Sequence, residues 1–139
     1  DLIPREYWLT SEGFAHAPEW PVEDWWQLLG KVRLGRAVRS IKHAVDRPNE
    51  TLSAEEKEQL LDRAAEEYAA AVAYFQQYSP YSVHLGRTLK SIQGRIKTLN
   101  PTQVKRMRHL MQQFAEEHKV KIERLLTLIE NTMGLEREA

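Results

Sequence analysis

From Ser53 to Tyr78 the chain runs without a single glycine or proline. Within that run Leu60, Leu61, Ala64, Ala65, Tyr68, Ala71, Val72, Phe75 and Tyr78 recur at three- and four-residue spacing, one wide apolar stripe at the helical period. The segment opens with "SAEE", where Ser53 as N-cap and Glu56 three residues on form a capping box. The acids that crowd its first turns favour the positive end of the helix dipole. Such a helix is marginal alone and is stabilised by burying its stripe. Its small alanines predict close approach by a neighbouring helix. "SPYS" around Pro80 stops it.

The rest of the chain supplies partners of the same kind. A first helix is predicted from about Val22 to Val45, ended by "DRPNET". Its large apolar residues lie in two directions: Trp25, Leu29 and Val32 in one, Leu34, Val38 and Ile41 nearly opposite. Gly30 and Gly35 sit at the change, so a kink or break is expected there. A third helix, about Ser82–Leu99, gathers Leu85, Leu89, Ile92, Ile96 and Leu99 on one side and Arg87, Lys90, Gly94 and Lys97 on the other. "NPTQ" restarts the chain, with Asn100 as cap, Pro101 at the first helical position and Gln103 closing the box. The stripe that follows (Val104, Met107, Met111, Phe114, His118, Ile122, Leu125, Ile129, Met133) predicts a fourth helix of roughly 33 residues and about 50 Å. No alternating strand and no repeat is evident. The fold class is therefore all-α, a bundle of four to five helices over residues 25–139 with an aromatic-rich extended arm over 1–24.

That arm, "DLIPREYWLTSEGFAHAPEWPVED", carries Pro4, Pro18 and Pro21, which forbid a long helix. Tyr7, Trp8, Phe14 and Trp20 argue against free disorder. It reads as a strap over the protein's own core or as a segment that docks on another subunit. The 139 residues suit one core-bearing domain. No cysteine is present, so disulfides, thiolate catalysis and Cys-based zinc sites are excluded. No apolar run reaches membrane-spanning length, and no signal pattern precedes the first helix. The expectation is a soluble, cytoplasmic protein. The chain begins with Asp, which suits a processed or trimmed chain or a piece of a longer one.

Twenty basic residues balance twenty acidic ones, so information about partners lies in where the charges fall. Between Asp24 and Asp46 there is no acid, against Lys31, Arg33, Arg36, Arg39 and Lys42. Projected at 100° per residue, Arg36, Arg39 and His43 oppose Leu34, Val38, Ile41 and Val45, with Lys42 on the flank. Between Glu67 and Glu116 lie 48 more residues without Asp or Glu, and with Arg87, Lys90, Arg95, Lys97, Lys105, Arg106 and Arg108. Solubility favours interspersed signs, so this sorting calls for a cause. A basic surface facing a phosphate backbone is one, through counterion release without base readout. Lateral pairing with the acidic second helix is another, and a solvated face a third. Gly86 and Gly94 read as permitting close approach, of a helix or of a nucleic-acid backbone.

Catalytic patterns are absent. His16, His43, His84, His109 and His118 form no H-E-x-x-H and no Glu-x-x-His in di-metal bundle spacing. His118 lies on an apolar stripe, where a hydrogen-bonded core histidine is the simpler reading. There is no G-x-S-x-G, no phosphate loop and no carboxylate pair in an apolar setting. The expected protein is not an enzyme and needs no cofactor or metal. A helix-turn-helix across "YSPYS" has a suitable turn, but its first helix is too long.

With its basic helices "VRLGRAVRSIKHAV", "GRTLKSIQGRIKTL" and "PTQVKRMRH", its cysteine-free chain and its helical bundle, the sequence resembles the small subunits of CRISPR effector complexes. It is most similar to the small-subunit-like helical domain that ends the large subunit in type I-D systems. The resemblance implies a non-catalytic subunit, present with other subunits and further copies of itself, that lines a target or displaced strand. Guide pairing then supplies sequence and protein contacts reach backbone. Arg36, Arg39, Lys42, Arg87, Lys90 and Lys97 are then the first candidates for phosphate contacts. Lys105, Arg106 and Arg108 follow, with Lys31, Arg33 and Arg95 on the same basic segments. The alternative from another class is a helical adaptor whose basic faces bind an acidic protein partner.

Overall fold

In the computed structural model, residues 23–45, 52–78 and 83–138 are described, and all secondary structure among them is helical. Five helices follow in order: α1 Glu23–Val45, α2 Ala54–Tyr78, α3 Val83–Ile96, α4 Pro101–His118 and α5 Glu123–Glu138. The proposed arm and the linkers "DRPNET" and "SPYS" lie outside the described residues, apart from the last two residues of the arm, which begin α1.

The two capping boxes form as the local sequence dictates. Glu56 N donates to Ser53 Oγ at 3.0 Å while Ser53 N donates to Glu56 Oε1 at 3.2 Å. At α4, Gln103 N donates to Asn100 Oδ1 at 2.8 Å and Asn100 N to Gln103 Oε1 at 3.0 Å. Each satisfies two backbone donors that a helix start otherwise leaves unpaired.

Helix α2 is the centre of the bundle. It packs along α1 and also touches α4 and α3, while α5 closes the far side against α4 and α3. From Tyr68 to Phe75 every residue of α2 is buried, so this stretch is covered on all sides. Its run of alanines admits helices on several flanks, as a helix apolar all round requires. Burying one side chain such as Ile92 or Leu125 in this core contributes about 1.5–3 kcal/mol.

Two expectations about continuity are corrected. Helix α1 is a single helix, with no break at Gly30 or Gly35. Its buried residues are Trp26, Leu29, Gly30, Ala37, Ser40, Ile41 and Ala44, one stripe midway between the two apolar directions of the sequence. Small residues alternate with Trp26, Leu29 and Ile41 in that stripe, and Leu34 and Val38 flank it. Gly30 is there because the Phe75 ring lies on it: an added Cβ meets ring carbons at 2.8–3.0 Å.

The predicted long fourth helix is two helices. Lys119 caps α4 in the left-handed conformation (φ 55°, ψ 41°), and Val120 N donates to Ala115 O at 2.9 Å. The chain re-enters a helix at Glu123, with Ile122, Leu125, Ile129 and Thr132 buried on one side.

Candidate nucleic-acid interface

The acids of α2 stand at the boundary between two basic helices and are used there. Arg33, half-buried within the stripe that α1 turns to α2, donates from Nη1 to Glu67 Oε1 at 3.1 Å and Oε2 at 3.3 Å. The Tyr74 hydroxyl lies beside this pair, and the Trp26 ring packs at 5.9 Å between centroids. Burial raises the Tyr74 phenol above its usual range, against the opposing pull of Arg33. On the other flank Arg106 donates from Nε and Nη2 to the two carboxylate oxygens of Asp62 at 2.8 and 2.9 Å. Its Nη2 also pairs with Glu58 at 3.0 Å. Arg108 reaches across to Glu130 of α5 and to Gln112 on its own helix.

Lateral pairing therefore accounts for three candidate phosphate contacts. Arg33, Arg106 and Arg108 bridge neighbouring helices, where each already meets a carboxylate. Arg95 is half-buried and lies near the Tyr68 ring, close enough to favour its ionised form. A groove of about 250 Å³ between the starts of α2 and α4 is lined by Lys57, Glu58, Asp62, Thr102, Gln103 and Arg106. Its Arg106 is already paired with both of its acids.

The remaining cations form a different class. Lys31, Arg36, Arg39 and Lys42 are exposed on the outer side of α1. Arg87 and Lys90 on α3, and Lys97 in the turn that extends it, are exposed opposite the buried Leu85, Thr88, Leu89, Ile92 and Ile96. Lys105 is exposed on α4. None of these eight has an ion-pair partner among the described residues. The exposed cations lie on α1, on α3 with the turn that follows it, and at Lys105 of α4, three helices that each pack on α2.

Two signals on these faces escaped reading by charge alone. On α1, Leu28 and Val32 are exposed among the cations, at 43% and 42%. On both helices glycines are bare: Gly35, Gly86 and Gly94 would meet nothing within 4 Å if given a Cβ. None adopts positive φ, so no turn or cap requires glycine. Each costs a helix up to about 1 kcal/mol against alanine. The expectation that Gly86 and Gly94 admit a neighbouring helix is not met among the described residues.

Of the histidines, His118 is half-buried with its ring 4.3 Å from that of Phe114 and tilted at 42° to it, a position at the edge of the core in place of the expected core one. No group of three metal-ligating side chains occurs among the described residues. No described helix is long and apolar enough to cross a membrane. Comparison with protein-family models, with curated proteins and with solved structures finds no match for this chain.

Proposed function

We propose that this chain is a non-catalytic subunit that holds the phosphate backbone of a nucleic acid, as part of a larger ribonucleoprotein of the CRISPR effector kind. The observation that carries this reading is the division of the cations. Those beside acids of α2 and α5 are paired, whereas Lys31, Arg36, Arg39, Lys42, Arg87, Lys90 and Lys97 meet no acid among the described residues. Phosphates favour such faces by releasing their condensed counterions, with no demand on base sequence. In a guided complex, pairing reads the sequence and a protein of this type follows the backbone.

The test is binding of labelled oligo-dT and oligo-U at about 50 and 200 mM salt, followed by fluorescence anisotropy. With about six phosphates engaged, affinity falls on the order of several hundredfold between the two salts. Reversing Arg36, Arg39 and Lys42 to Glu together abolishes most of the binding at both. Arg106→Ala leaves affinity near wild type, because that side chain serves the α2–α4 contact. Failure of the wild type to bind at the lower salt sinks the proposal.

A second reading rests on Leu28 and Val32. Exposed aliphatics ringed by Lys31, Arg36 and Arg39 also fit an acidic protein surface with an apolar centre, where desolvated anchors dominate affinity. In that case Leu28→Ala and Val32→Ala weaken partner binding more than added salt does.

A further inference from the structure

Gly30, Gly35, Gly86 and Gly94 divide by their surroundings. Gly30 has Arg33 three residues on, but that cation is paired with Glu67, and the Phe75 ring explains the glycine. Gly35 has Lys31 four residues before it and Arg39 four after. Gly94 has Lys90 four before and Lys97 three after, and Gly86 has Lys90 four after. Residues three and four apart on a helix stand on the same face. Gly35 and Gly94, on two separate helices, are thus bracketed by unpaired cations, and Gly86 has one on its C-terminal side. Nothing among the described residues lies over any of the three.

We infer that Gly35 on α1 and Gly94 on α3, with Gly86 about two turns before it, are seats for the sugar-phosphate chain itself. The strand lies against exposed helix backbone, and the cations on either side close over its phosphates. This rests on the nucleic-acid reading above and adds a contact geometry to it. The absence of a Cβ lets the strand approach the helix axis more closely than any other residue permits. On α3 the cations from Arg87 to Lys97 span about 15 Å along the helix. That is room for several phosphates along a line with glycine at its middle. Charge alone does not demand glycine here, since long Lys and Arg side chains reach a phosphate from beside an alanine as well. Close contact does.

The experiment is a size series at constant charge: Gly35→Ala and Gly94→Ala, then Gly35→Leu and Gly94→Leu. Gln113→Ala, on the exposed side of α4, serves as the control. Binding of labelled oligo-dT and oligo-U and thermal unfolding are measured on the same samples. Each alanine variant raises Tm by about 3 °C, because helix propensity improves. The same variants lose affinity, about threefold for alanine and about tenfold or more for leucine, as the strand is pushed away from the backbone. The salt slope stays that of the wild type, since no cation has been removed. Affinity that survives both alanine and leucine, with wild-type binding intact, overturns the glycine seats and leaves the charge-based reading standing. No binding by the wild type removes both.

Discussion

At the scale of single residues, two glycines on one helix do opposite things. Gly30 is packed against a rigid ring, so Gly30→Ala forces Phe75 or the helix to shift, at a cost of about 1–3 kcal/mol. That exceeds the propensity gained from alanine. The urea midpoint of Gly30→Ala should fall well below wild type while that of Gly35→Ala rises. Equal midpoints for the two variants contradict the packing argument. The letter G five residues apart carries no hint of this difference. It becomes visible only when the partner helix is in place, because the deciding atom is Phe75, 45 positions later in the chain.

At the scale of elements, the starts of α2 and α4 were legible because capping is a contact among four consecutive residues. "SAEE" and "NPTQ" carry their whole mechanism locally. The buried side of α1 was legible only at Leu29 and Ile41, since periodicity follows large aliphatics, and Trp26, Gly30, Ala37, Ser40 and Ala44 complete the contact. The division of α4 from α5 was hidden for a related reason. His118 to Ile122 keeps the four-residue spacing across the break, and the stop falls on a lysine. Lys119 holds a left-handed conformation that costs an L-residue about 1–2 kcal/mol, and glycine there at little cost. Lys119→Gly should therefore stabilise the protein by about 1 kcal/mol in urea unfolding. A loss of stability shows that the lysine side chain contributes more than its strained backbone costs. As for the candidate interface, the acid-free stretches located the exposed cations of α1, α3 and the start of α4. Which of them the acids of α2 and α5 had already engaged required the packing.

At the scale of the whole molecule, stability at high pH depends on phenols that ionise less readily in place than in the unfolded chain. Tyr68 is fully buried, its hydroxyl has no hydrogen-bond partner among the described residues, and burial pushes its pKa up to about 12, against the opposing pull of Arg95. In the unfolded chain a tyrosine ionises near 10. Between those values the unfolded state has released a proton that the folded state keeps. The contribution is complete below pH 10 and is lost as pH rises towards 12, on the order of 1 kcal/mol per pH unit for each such tyrosine. Urea midpoints measured from about pH 8 to 11 should fall above 10, and more gently in Tyr68→Phe, a comparison that separates the phenol from titrating lysines. Parallel falls in the two proteins contradict the assignment. The all-round burial of α2 also gives the order of synthesis a consequence. While the ribosome has released only α1 and α2, the Tyr68–Phe75 segment is covered on one flank, and its other sides remain wet until α3 and α4 emerge. For that interval the nascent hairpin displays an apolar ridge, the kind of surface that chaperones retain and that crowded neighbours aggregate on.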